Sequence, residues 1–114
     1  MATIQERMEL RVVAYREDDH YVAQGLEFDI CVQANTLEEL QLRFDRAAFA
    51  TLAVCVERGA DPRDAVPKAP REFWDMFEDA RVLLNMTERE RSAEIAGMAP
   101  TFEPAFRWHE RRVA

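Results

Sequence analysis

The chain of 114 residues is 48% hydrophobic, which supplies one core and not two, so it reads as a single domain over residues 1–114. Its formal net charge of -7 repels phosphate backbones and removes nucleic acid as the default partner. No apolar run approaches the roughly 20 residues needed to cross a bilayer, and the opening MATIQERMELRVV lacks the apolar stretch of a signal peptide, so a cytoplasmic protein with no membrane association is expected. Cys31 and Cys55 stand at an unrelated spacing in such a chain, which predicts two reduced, buried thiols and no bridge.

Residues Met8 to Arg16 alternate, with Met8, Leu10, Val12 and Ala14 set against Glu9, Arg11, Val13 and Tyr15, the period of a strand with one face on a core. Glu17-Asp18-Asp19-His20 interrupts that pattern with turn-forming side chains, and the strand signal resumes at Tyr21, which predicts a hairpin. Tyr21 and Val22 are both candidates to face inward, because a register shift of one exchanges them. Gly25 falls near the end of this run, where a residue without a Cβ accommodates a bulge or bend. A third run from Ile30 to Asn35 completes an antiparallel meander.

Thr36-Leu37-Glu38-Glu39 is a capping box: the Thr36 hydroxyl accepts from the Glu39 amide while the Glu39 carboxylate reaches back to the Thr36 amide. From it Leu37, Leu40, Phe44, Ala47, Ala48, Thr51 and Cys55 fall at helical spacings as one stripe, and Gly59 supplies a left-handed stop. The second half of this helix, AAFATLAVCV, is apolar nearly all round, so Phe49, Leu52, Ala53 and Val56 require a cover beyond one sheet face. A connector punctuated by Asp61-Pro62, Val66-Pro67 and Ala69-Pro70 follows. Arg71 to Leu84 then carries an amphipathic face of Phe73, Trp74, Phe77, Ala80 and Leu84, which is expected to cover that flank. A second capping box at Thr87 to Glu90 predicts a short helix to Ala96, stopped by Gly97, so the helical extension covers about 70–96.

Phe102, Phe106 and Trp108 make the tail TFEPAFRWHERRVA too apolar for a free terminus, and Phe106 and Trp108 alternate with charged neighbours as in a strand at about 104–112. Two readings of that strand stand side by side: it returns to its own sheet, or it exchanges with a second subunit. The fold class is therefore α+β, a small antiparallel sheet of three to four strands in the order β-β-β-α-α-(α)-β with helices packed on it. The candidate partner-binding residues are the tail aromatics Phe102, Phe106 and Trp108 together with Tyr15 and Tyr21 of the first two strands.

Val12-Val13-Ala14-Tyr15, Asp18-Asp19, Tyr21-Val22-Ala23, Asp29-Ile30-Cys31-Val32-Gln33-Ala34 and Thr36-Leu37-Glu38-Glu39-Leu40 follow one another in an order that resembles the HicB-like family. That family comprises the antitoxin side of HicA/HicB toxin–antitoxin pairs and stand-alone relatives. The likeness covers about the first half of the chain. It implies a HicB-like fold and a non-catalytic protein-interaction module, either binding a small basic RNA-cleaving toxin of the HicA type or self-associating as a dimer or higher oligomer. The family usually has Pro-Asp-Leu-Pro-Gly where this chain has Leu26-Glu27-Phe28-Asp29-Ile30. Its antitoxins commonly carry a helix-turn-helix or ribbon-helix-helix segment that has no counterpart here.

Chemistry offers three weaker alternatives. Asp18, Asp19 and His20 are metal-ligand types, but adjacent residues on a turn rarely converge on one ion, so a small metal-dependent hydrolase ranks last. Cys31 with His20 suggests a nucleophile and base, and Glu27 with Asp29 an acid–base pair, yet free cysteine behaves mostly as a small hydrophobe and a loop carboxylate pair is usually just solvated. Three glycines, Gly25, Gly59 and Gly97, make no phosphate-cradling loop. No catalytic residue, cofactor site or metal site is assigned. The locally basic Arg107-Trp108-His109-Glu110-Arg111-Arg112 leaves a DNA-binding regulator as the alternative function.

Overall fold

A computed structural model describes residues 8–80, 82–84 and 102–109. Strand β1 (Met8–Glu17) turns into β2 (His20–Gly25) through Asp18-Asp19, with Glu17 paired to His20. Asp18 takes up the left-handed conformation, φ 55°, that such a tight reversal demands and that a short polar side chain tolerates. Strand β3 (Cys31–Ala34) adds antiparallel to β2. Helix α1 (Leu37–Glu57) and the short α2 (Pro62–Ala65) follow, then α3 (Arg71–Asp79), β4 (Val82–Leu84) and β5 (Phe102–Trp108).

The class is α+β, and the strands and helices come in roughly the expected order. Among the described residues the sheet has five strands in the order β3-β2-β1-β5-β4 and is mixed, not wholly antiparallel, because β5 pairs parallel to β1, from Met8↔Phe102 to Ala14↔Trp108. The tail strand thus lies in its own sheet, starting earlier than about 104. Residues 110–112 of the predicted strand, and the predicted helix from Thr87 to Ala96, lie outside the described residues.

β1 is the central strand, and both of its faces are buried, contrary to the one-sided pattern read from its alternation. Leu10, Val12 and Ala14 join Ala23, Ala34 and Phe106 under Leu40, Phe44 and Ala48 of α1. Val13 packs on the other face with Leu26, Ala69 and Phe77, and Tyr15 stacks on Phe73 at 6.5 Å between ring centroids. Registers put Tyr21 on the α1 face and Val22 on the α3 face, which resolves the choice between them.

The reason for the second buried face is α3. It packs against β1 from the side opposite α1, so it does not cover the flank of α1. It also stops at Asp79, where the Ala80 amide closes on the Met76 and Phe77 carbonyls, and Val82–Leu84 pairs antiparallel with β5 instead of continuing the helix to Leu84. Three successive apolar residues suit a strand better than one stripe of an amphipathic turn.

At the start of α1 the Thr36 hydroxyl accepts from the Glu39 amide at 3.1 Å, as the capping box requires. The Glu39 carboxylate turns forward to Arg43, not back to the Thr36 amide. Arg43 also donates to the Gln33 carbonyl at 2.8 Å, so the pair occupies an acceptor of the edge strand β3. At the far end Gly59, φ 64°, and Ala60 return their amides to the Val56 and Cys55 carbonyls and terminate the helix.

Gly25 lies close against the loop that follows it and against Phe44 of α1. A Cβ there would lie 2.8 Å from the Phe28 carbonyl oxygen and 3.0 Å from Phe44 Cζ. Gly25→Ala is therefore expected to lower stability by about 1–3 kcal/mol in urea denaturation; an unchanged midpoint would show that the loop after Gly25 yields freely.

Candidate docking surface

The five aromatic residues singled out in the sequence do not form one patch. Phe106 is buried on the α1 face, edge-on to Phe44 at 5.6 Å, and Tyr15 is buried on the opposite face. Both are core residues in this fold, and their exposure would cost it stability. Tyr21 and Trp108 meet at 5.8 Å and are half-buried, with the Arg16 guanidinium over the Tyr21 ring. The side chain of Phe102 lies outside the described side chains, although its backbone pairs with Met8.

The chemical candidates separate as well. The Asp18-Asp19 turn is closed by Arg16 Nε donating to the Asp18 carbonyl, and His20 Nδ1 lies 3.6 Å from Asp19. Among the described residues no three His, Cys, Asp or Glu side chains converge on one point. Cys31 pairs across the ladder with Gln24, four residues along β2 from His20, so about 13 Å of strand separates the thiol from the imidazole. Glu27 and Asp29 go to different partners. Glu27 accepts from the Arg11 amide and Nε at 2.7 and 2.6 Å, while Asp29 accepts from Gln24 Nε2 at 2.8 Å. Arg107, the first cation of the basic tail, donates to the Phe77 carbonyl and lies over the Phe77 ring at 4.2 Å, so it is committed to the α3 layer. Arg111 and Arg112 lie outside the described residues.

The cysteines are both free, but only Cys55 is buried; Cys31, on the short edge strand, is exposed. Partial desolvation, then the carboxylates of Asp29 and Glu17, push the Cys31 thiol above its ordinary pKa, the opposite of an activated nucleophile.

The surface that the sequence signalled and the fold leaves open is the second half of α1. Ala50, Ala53, Val54 and Val56 are exposed, Val54 to 43% and Val56 to 77%, and Phe49 and Leu52 are half-buried. The nearly all-apolar run AAFATLAVCV carries this signal, and α3, packed on the opposite face of the sheet, does not cover it. Beside the row, an open groove of about 440 Å³ runs between Thr51, Val54 and Cys55 of α1 and Ala65 and Val66 of the connector. Its lining is apolar except for Thr51 and Arg58. Charges around this half of the helix balance, Arg46, Arg58 and Arg63 against Glu57, Asp61 and Asp64, in a chain whose whole carries -7. Such a surface favours apolar contact over ion capture.

Comparison with family models, with curated proteins and with solved structures finds no match for the chain. No described helix is long and apolar enough to cross a membrane.

Alkylation separates the two thiols. Cys31 is expected to react with iodoacetamide more slowly than free cysteine near neutral pH, its rate profile displaced toward higher pH, and Cys55 only on unfolding. A Cys31 faster than free cysteine at neutral pH would contradict the assignment.

Proposed function

We propose that this chain is a non-catalytic protein-interaction module of the HicB-like kind, docking through the outer half of α1. One observation carries the reading: a 21-residue helix whose first half is seated on the sheet leaves Ala50, Ala53, Val54 and Val56 facing solvent. Exposed apolar side chains scattered singly need no explanation, but a continuous helical row beside an apolar groove marks an interaction surface. The order of the first strands, the hairpin turn and the Thr36 cap supports the HicB-like assignment.

Two kinds of partner belong to this reading, a second copy of the chain and a small basic toxin of the HicA type. The acidic whole favours encounter with a basic partner, whereas the charge-balanced apolar row favours another apolar helix. The Phe77 carbonyl and ring engage the Arg107 side chain, which weighs against the DNA-binding alternative, and the separate partners of Glu27 and Asp29 weigh against an acid–base pair between them.

Sedimentation of the purified chain, alone and co-expressed with the product of its neighbouring reading frame, tests the proposal. The wild-type chain is expected in a complex in at least one setting. Val54→Glu with Val56→Glu should release it with folding stability changed by no more than about 0.5 kcal/mol. A wild-type monomer in both settings, or a complex indifferent to the double substitution, would contradict it.

A further inference from the structure

Arg46, Ala50, Ala53 and Glu57 recur along α1 at spacings of four, three and four, and all are exposed. That spacing sets them in one row on the side of the helix opposite Phe44, Ala48 and Cys55, which are buried. Phe49 and Val56 border the row on one side, Ala47 and Val54 on the other. The row is self-complementary. Arg46 precedes the midpoint between Ala50 and Ala53 by as much as Glu57 follows it, so an antiparallel copy related by a two-fold axis at that midpoint opposes alanine to alanine and, at both ends, arginine to glutamate.

We infer that the occupant of this face is a second copy of the chain, its α1 packed antiparallel on the same row. The inference rests on the docking reading above and goes beyond it by fixing the partner and the register. Three features support it. Ala50 and Ala53 at the centre let two helix axes approach to about 8 Å. Phe49 then lies beside the partner's Val56, and Ala47 beside the partner's Val54, the flanking arrangement of antiparallel helices. Finally, neither Arg46 nor Glu57 forms an ion pair among the described residues, so both are available to a partner. The local charge balance lets two chains of net charge -7 meet here without direct repulsion.

Sedimentation equilibrium with charge reversal tests the register. The wild-type chain is expected to form a reversible dimer, and Arg46→Glu or Glu57→Arg alone to weaken it by about tenfold or more. An equimolar mixture of the two single variants should associate again, because a mixed dimer restores arginine against glutamate at both ends, and so should the double swap in one chain. General repulsion predicts otherwise, since Glu57→Arg reduces the net negative charge and would strengthen association. A dimer abolished by Val54→Glu with Val56→Glu but indifferent to both reversals would overturn the antiparallel register while leaving the docking face in place. A chain that stays monomeric alone yet binds a basic partner through Val54 and Val56 would overturn the second copy and keep the interaction module. A monomer whose Val56→Cys thiol resists labelling would assign the face to the chain's own remaining residues and overturn the inference.

Discussion

The grip of Glu27 on Arg11 holds the molecule's layers in place. One carboxylate oxygen accepts from the Arg11 amide and the other from its guanidinium, and that guanidinium lies over Trp74 of α3 at 4.8 Å. The grip fixes a loop whose neighbouring side chains point to opposite sides: Leu26 enters the cluster beneath α3 and Phe28 the cluster beneath α1. Backbone bonds complete it, from the Leu26 amide to Arg11, from the Asp29 amide to Pro67 and from the Ala69 amide to Leu26. Hydrogen bonds to a charged group contribute about 1.5–3 kcal/mol each, so this loop secures both layers at modest cost in chain length.

That arrangement also sets what remains exposed. Because the connector after Gly59 is tied to the loop through Pro67 and Ala69, it carries α3 around the end of the sheet to the far face. The amphipathic helix expected to cover α1 is thereby used on the other side of β1. The outer half of α1 is left bare as a consequence of the topology, and its charge balance sets it apart from the acidic remainder. Edge pairing is a less natural route to association, since β3 spans four residues and Arg43 occupies its Gln33 carbonyl, and β4 spans three.

Local signals were legible in the sequence. The alternation of β1, the Asp18-Asp19 turn, the Thr36 cap and the Gly59 stop each depend on a few adjacent residues, and each appears where it was read. What failed was long-range. Val13 and Tyr15 sit opposite Val12 and Ala14 on the pleat, and nothing near them in sequence shows that a helix some sixty residues later buries them. The amphipathic face of Phe73, Trp74 and Phe77 specified that α3 packs, not on which face. Aromatic content likewise did not distinguish Phe106, a core residue, from Trp108, half-exposed against Tyr21, because that difference is set by the register of β5 on β1.

The two tryptophans make the unity of the layers measurable, since Trp74 packs in the α3 cluster and Trp108 against the α1 cluster. Fluorine NMR of the chain labelled with fluorotryptophan, followed through urea unfolding, reads each layer separately. If Glu27 couples them, both resonances lose their native positions in one transition, and Glu27→Ala moves both to lower urea together by about 2 kcal/mol. Loss of the Trp74 signal while Trp108 stayed native, or midpoints unmoved by Glu27→Ala, would contradict the account.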